Sequence, residues 1–539
     1  MITGDNWLLA FDMQPILLDM SVLLSVLFFP YGLNFYLMIR KAQDYVVPAK
    51  KTDEKFPVTV QLPVFNEKYV VDRLLDACAK MADQYGRNLV QILLLDDSTD
   101  ETTQIASQAV ERLRGLEYDA DIVHRNFREG FKAGALENAN KCTKYPFVAI
   151  FDADFVPPSD FLNRTMPYFS DTQLGLVQCR WTHLNRNYNM LTRAVSIGYD
   201  GHHLVEQTGR MAAGYMLNFN GSAGVLRRKA LEDAGGWQSD TLAEDLDASY
   251  RMQLNGWKAL YLRDVECPAE IPPTIPSLKR QQSRWARGSI RTFRKLLSRI
   301  LLDKKLSLGQ KAEALVHLSY YSVHPLMFAA FVIALFAAFL GVRLVNLAQF
   351  LEVITIQTPG VQPNLPKYLW FMSYIQPILE KGWNAFISMP HWIILNATIV
   401  FCSFSMWVFY AYALKLQGVP VKSQIKTLGA LGLIGFGISI SNTIAVAQGF
   451  LSRTAGVFSR TPKYKIEKRE DSWRDKKYQI NVNKTVGLEI FCGILGIIAM
   501  VKSGLDANFG IIPILFIYTV AYLYVSRVTF RDALRSQFS

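Results

Sequence analysis

VQILLLDDSTDET, residues 90–102, decides the fold. Its first half is apolar on both faces of an extended strand, the pattern of a strand buried between helical layers rather than of a sheet with one wet face. It then runs into acids and hydroxyls, with a helix pattern on either side. That combination reads as an α/β sheet whose strands meet their ligands at their carboxyl ends. Asp96 and Asp97 mark such an edge, although Asp, Ser and Thr are also favoured there as plain helix N-caps.

Working outward, two more segments repeat the design. FPVTVQLPVFNE (56–67) is an apolar strand ending in Pro63, Asn66 and Glu67, and FVAIFDADFVPP (147–158) ends in Asp152 and Asp154. On an extended segment those two acids share a side and are spaced to hold one divalent cation through oxygen ligands. Buried strand ends seldom tolerate two unpaired carboxylates, so a cation or a cationic partner is expected, with a structural calcium ion as the plainer reading. Farther on, TLAEDLDASYRMQLNGW (241–257) reads as a helix start capped by Thr241. Acids in a first turn stabilise the helix dipole by under about 1 kcal/mol each. Glu244, Asp245 and Asp247 exceed that need, and one of them is suited to accept a proton from an attacking hydroxyl.

The chain has 539 residues, of which 50% are hydrophobic, and the apolar content is uneven. Pro15 to Met38 is long enough to cross a bilayer and lacks the basic start and cleavage site of a signal peptide. Residues 43–308 contain no comparable run and suit one soluble domain. Beyond them lie Leu315 to Val342, His391 to Leu414, Leu428 to Val446, Thr485 to Val501 and Phe509 to Val525. Lys and Arg after the first run put residue 40 onward in the cytoplasm. If all five later runs crossed, the basic stretch 453–484 would face outside, so one should not span. Leu428 to Val446, rich in Gly and Ser, is the candidate to lie at the interface or re-enter, and a hidden weak span within 343–390 is the alternative. The expected organisation is an N-terminal membrane helix (1–42), a cytosolic domain ending in interfacial helices (43–308), and membrane and interfacial helices with a basic loop at 453–484 (309–539).

The formal net charge of +12 invites a nucleic-acid reading. No nucleic-acid motif accompanies it, and in a membrane protein excess Lys and Arg chiefly serve orientation and contact with anionic lipids, so membrane lipids are expected partners and nucleic acid is not. The six cysteines form no CxxC pair, and neither a disulfide nor a zinc site is expected.

The ordered set LPVFNE, LLLDDSTD, GFKAGAL (130–136), FDADF, FNGSAG (219–224), LAEDLD and QQSRW (281–285) resembles the membrane-integrated inverting glycosyltransferases of family 2. These include cellulose, hyaluronan and chitin synthases and, closest in pattern, the cellulose-synthase-like mannan and glucan synthases. The resemblance spans about residues 56–300 and reaches FSRTPK at 458–463. It implies a GT-A type α/β cytosolic domain with a mixed, mostly parallel sheet, joined to an α-helical transmembrane bundle in the plasma or inner membrane.

It further implies that Glu67, Asp96 and Lys132 serve the nucleotide, and that Asp152 and Asp154 hold Mg2+ or Mn2+ on the diphosphate, with Asp152 also on the donor side. Asp245 is implied as general base with Glu244 on the acceptor side, Ala243 replacing the family's Thr. Gln281, Arg284 and Trp285 match Gln-x-x-Arg-Trp. Arg284 offers charge-assisted bonds to the diphosphate, and Trp285 a flat face to the acceptor sugar, where an interfacial anchor is the plain reading. FSRTPK resembles the family's gating loop, with Arg460 in place of Val, so Thr461 and Lys463 are expected near the diphosphate. The implied activity is processive β-linked polysaccharide synthesis from UDP-glucose, GDP-mannose or GDP-glucose, with the growing polymer passed across the membrane. The rival readings are transfer of one sugar to a membrane lipid, and a nucleotide-binding transporter. Against the transporter stand the absence of any visible inverted repeat and of a Walker-type phosphate loop.

Overall fold

The computed structural model describes residues 13–50, 52, 54–344, 391–452, 454, 456, 460–473, 476 and 485–537. Phe458, and the stretch 345–390 in which a weak span was one alternative, lie outside the described residues.

Seven strands make one sheet: β1 (Val58–Val64), β2 (Val90–Asp96), β3 (Asp119–His124), β4 (Phe147–Ile150), β5 (Leu174–His183), β6 (Gly224–Arg227) and β7 (Lys258–Ala269). Their spatial order is β3-β2-β1-β4-β6-β5-β7. β3, β2, β1 and β4 run parallel, β6 runs against both β4 and β5, and β5 is parallel to β7. All seven residues of β2 are buried. Ile92 and Leu94 join one apolar cluster with the Val71–Tyr85 and Thr102–Gly115 helices. Leu93 and Leu95 join another with the Phe131–Ala139 and Glu244–Leu254 helices. The period of two thus feeds two helical layers, and each fully buried Leu contributes about 2 kcal/mol.

With this topology Val64, Asp96, His124, Ile150, His183 and Ala269 all end at one edge, and β6 begins there at Gly224. Two local expectations need correction. β4 stops at Ile150, so Asp152 and Asp154 lie in the turn beyond the strand, where Phe155 N–H donates to Asp152 O at 3.0 Å. The acid-rich helix starts at Glu244 with Ala243 in the cap position. Thr241 Oγ1 instead accepts from Ala243 N–H at 3.1 Å and lies 3.1 Å from Gly288 O, which fastens this helix start to the QQSRW helix.

That second helix, Ile275–Leu302, is capped by Thr274 with Pro276 in its first turn. It lies against the Ser439–Leu451 helix so closely that a methyl on Gly449 would stand 2.9 Å from Ile290 Cβ. Lys279 on the same helix is 1% exposed and donates to both carboxylate oxygens of Glu489, 0% exposed, at 2.7 Å. Ser526 Oγ lies 3.3 Å from the same carboxylate.

Among the described residues four helices are long and apolar enough to cross a membrane: Met13–Ala42, Tyr320–Phe339, Thr485–Leu505 and Phe509–Arg535. The segment expected not to span is two helices, Ile425–Gly437 and Ser439–Leu451, bent by 46° as a broken span or a re-entrant hairpin. Gly437 and Ser439 flank the break, the residue types at which helices kink.

Candidate active site

The carboxyl edge of the sheet, the start of the Glu244–Leu254 helix and the QQSRW helix enclose one cavity. It is lined by Lys132, Asp152, Asp154, Glu244, Asp245, Gln281, Arg284, Trp285 and Lys463, segments spread over more than three hundred residues of chain. Lys132 Nζ bonds Asp152 Oδ1 at 2.5 Å and Gly221 O at 2.8 Å, and stands 3.9 Å from Glu244 Oε1. Lys463 Nζ bonds Asp154 Oδ2 at 2.5 Å. Burial opposes a charge on either lysine. The carboxylates nevertheless hold both ammonium groups above their ordinary range, Asp152 leading for Lys132 and Asp154 for Lys463.

Among the described residues no three His, Cys, Asp or Glu side chains are grouped to hold a metal. Asp152 and Asp154 supply two hard oxygen donors to the one cavity, which fits Mg2+ or Mn2+, ions commonly held by one or two carboxylates plus substrate phosphates and water.

Glu244 and Asp245 begin their helix side by side. Burial, then the neighbouring Asp245, pushes the Glu244 carboxyl up to about 7, and burial likewise raises Asp245. Asp245 Oδ1 accepts from Leu246 N–H at 2.8 Å, leaving Oδ2 beside Gly221. Gly221 has φ +80°, and a methyl there would stand 2.5 Å from Asp245 Oδ2 and 3.2 Å from Lys132 Nζ. Gly221→Ala therefore strains the backbone and displaces both groups; turnover should fall ~100-fold, as small displacements of reacting groups do. Steady-state assays beside a melting curve check this: loss of turnover at near-wild-type stability is the expected result.

Trp285 tilts against Tyr199 with ring centroids 5.7 Å apart, and Tyr199 O–H donates to Gln281 Oε1 at 2.5 Å. Tyr321 at the foot of the apolar Tyr320–Phe339 helix donates to Gln282 Oε1 at 3.0 Å. Trp285, three residues beyond Gln282 on the same helix, thus lies near where the sheet domain meets that apolar helix.

Three expected residues lie apart from this lining. Glu67 is near enough to Asp152, Asp154, Arg460 and Lys463 to sense their charges, and burial pushes its carboxyl up to about 7. Thr461 is buried. Asp96 is fully buried and committed: Oδ1 accepts from Ser98 N–H at 3.0 Å, while Oδ2 takes the Thr103 hydroxyl at 2.7 Å and lies 2.8 Å from His124 Nδ1. Burial pulls this carboxyl up, but those hydrogen bonds win and hold it below its ordinary range. In this structure Asp96 organises the loop at the strand end.

The sequence reading missed Trp181, His183, Asn220 and Glu270, which also line the cavity. Glu270 accepts the consecutive N–H groups of Tyr464 and Lys465 at 2.9 and 3.0 Å, and so fixes the segment that carries Lys463. Burial pushes its carboxyl up to about 7. An acid just past the carboxyl end of a strand is the signal it shares with Glu67 and Asp152.

Residues 147–412 match the model for Glycosyl transferase family group 2. A curated protein of Arabidopsis thaliana, "Probable glucomannan 4-beta-mannosyltransferase 3", is 38% identical over 261 residues, 47% of this chain and 46% of that protein, so the match spans about half the relative's length. Among solved structures, mannosyltransferase PcManGT from Pyrobaculum calidifontis in complex with GDP-Man and Mn2+ is similar at 21% identity and a TM-score of 0.49, over 71% of this chain and 98% of that one. S. aureus TarS 1-349 in complex with UDP-GlcNAc is similar at 14% identity and a TM-score of 0.36, over 67% and 92% of the two chains.

Proposed function

We propose that this chain, whose residues 147–412 match the Glycosyl transferase family group 2 model and whose sheet is mixed and mostly parallel, is an inverting β-hexosyltransferase that elongates a β-linked polysaccharide, most specifically a β-mannan from GDP-mannose. The observation that carries the reading is the meeting of two paired lysines, two turn carboxylates, the Glu244–Asp245 pair and Gln-x-x-Arg-Trp around one cavity. The mannosyl donor is favoured by the similarity to the Arabidopsis thaliana probable glucomannan 4-beta-mannosyltransferase.

In this reading Asp245 takes the proton from the acceptor hydroxyl as that oxygen attacks the anomeric carbon. The nucleoside diphosphate leaves from the opposite face, so an α-linked donor yields a β-glycoside. Glu244 stands beside Asp245 on the acceptor side, and Trp285 stacks on the terminal sugar. Arg284, Gln281, Lys132, Lys463 and Thr461 neutralise and orient the diphosphate, and Glu67 and Asp96 shape the nucleoside end. A divalent ion held by Asp152 and Asp154 supplies charge neutralisation to the leaving diphosphate. With residues 43–308 on the cytoplasmic side and Trp285 one turn from Gln282, which meets Tyr321 of the Tyr320–Phe339 helix, the lengthening chain leaves the site toward the bundle. Synthesis and passage across the membrane are then one process.

The direct test incubates the purified full chain with labelled GDP-mannose, GDP-glucose and UDP-glucose in turn, with Mg2+ or Mn2+, and digests the product with linkage-specific hydrolases. A mannanase-sensitive polymer made from GDP-mannose is expected. Label confined to a lipid would replace polymer synthesis by single-sugar transfer.

The acid pair also sets a pH dependence. Folded carboxyl groups with raised values must lose their proton before one can act as base, so the rate rises with pH above the ordinary carboxylate range. Glu244→Gln removes the neighbouring charge and should move that rising limb of kcat/KM to lower pH. An unmoved limb would show that the pair does not control it.

A further inference from the structure

We propose that His202 and Glu206 form a positioning pair that fixes the side chain of Asn220 for the acceptor sugar, an assignment that rests on the glycosyl-transfer reading above. Asn220 lines the reaction cavity and immediately precedes Gly221, the residue packed against Asp245. Its Nδ2 faces two imidazole nitrogens, His202 Nε2 and His203 Nε2, each at 3.4 Å. Its Oδ1 faces Asn218 Nδ2, with Gln207 Nε2 at 3.5 Å, and its backbone N–H donates to Gln178 Oε1 at 2.8 Å. These neighbours allow the amide one orientation, donor toward the rings and acceptor toward Asn218.

That orientation requires a ring nitrogen without a proton. Glu206 Oε2 lies 2.7 Å from His202 Nδ1 and accepts a hydrogen bond from the tautomer with its N–H there, which leaves Nε2 as a lone-pair acceptor for Asn220. Burial alone would favour the neutral acid, but the His202 hydrogen bond and the Arg210 charge keep the Glu206 carboxyl below its ordinary range. One amide hydrogen directed between the two rings serves both long contacts. The second is left for a sugar hydroxyl beside the base.

The backbone shows why two successive histidines converge. His202–Glu206 is a single π-helical turn between the Met190–Gly201 and Gln207–Ala213 helices. Successive side chains on an α-helix point ~100° apart. Here the two rings, 5.0 Å apart and at 80° to one another, bring both Nε2 atoms to one amide. Such turns inside helices recur at functional sites. The pair is anchored from behind: Arg210 stands 3.9 Å from Glu206 and pairs with buried Glu313 at 2.6 Å.

The test uses the full chain in detergent with GDP-mannose and a β-mannan oligosaccharide, and measures sugar transfer together with hydrolysis of the donor by water. For His202→Ala, the acceptor KM should rise and the ratio of transfer to hydrolysis should fall, each ~10-fold, with the donor KM unmoved. His202→Gln, whose Oε1 can accept from Asn220, should restore most of the loss. If His202→Ala does not fold, Glu206→Gln reads the same link and should raise the acceptor KM alone. Wild-type acceptor KM and transfer ratio in these variants, or a donor KM that rises in step, overturns the assignment. A wild-type chain that transfers no sugar from any donor overturns the glycosyl-transfer reading itself.

Discussion

In the Asp245→Asn variant, sugar transfer falls ~1,000- to 10,000-fold while donor binding is retained, the loss expected when a positioned base is removed. Asn keeps the shape and the Oδ1 that accepts from Leu246 N–H, so the helix start is preserved. Stability is not the cause of the loss, as the sign shows. Burial raises the folded Asp245 above its unfolded value, so its ionised form costs stability as pH rises, and a neutral amide removes that cost. The variant should melt at or above the wild-type temperature at pH 8. Calorimetric titration with GDP-mannose beside a transfer assay checks both halves, and unimpaired transfer would remove Asp245 from the chemistry.

Lys279→Met lowers the stability of the whole chain by ~3–5 kcal/mol, the range for leaving one member of a buried ion pair without its partner. Glu489 is fully buried and has both oxygens on Lys279, with Ser526 at the margin. With the ammonium gone, the carboxylate must bind a proton or draw water into the seam between the Ile275–Leu302 and Thr485–Leu505 helices. Lys279→Met with Glu489→Met should recover most of the loss, because a desolvated pair and a packed apolar pair have similar net worth. Melting midpoints of the single and double variants in one detergent decide it. A single variant that melts with the wild type would show the pair to be dispensable.

The sheet was legible because unbroken apolar runs and abrupt acidic stops are local signals. Asp152, Asp154, Glu244 and Asp245 announced themselves by the cost of burying acids without a purpose. Three features were not legible, each for a physical reason. β6 is only four residues, Gly224–Arg227, too short to show a period, so its reversed direction was invisible. Glu270 meets Tyr464 and Lys465 across 194 residues of chain, and no local pattern encodes such a partner. Asp96 bore the same acidic signal as the cavity residues, yet Ser98, Thr103 and His124 absorb its hydrogen-bonding capacity. Leu428 to Val446, expected not to span, falls in two helices bent by 46° as a broken span or a re-entrant loop, and their division at Ile438 depends on packing that sequence composition does not state.

The reversed β6 strand also divides the molecule. On one side of it lie β1 to β4, with Glu67, Asp96, Lys132, Asp152 and Asp154; on the other lie β5, β7 and the QQSRW helix, with Trp181, Gln281 and Trp285. On the proposed roles the nucleoside end of the donor belongs to the first half and the acceptor sugar to Trp285 in the second, while the diphosphate lies between them, held by Lys132 from one side and by Gln281 and Arg284 from the other. Choice of nucleotide and choice of polymer then rest on different stretches of chain, and either is free to drift while the other keeps its partner.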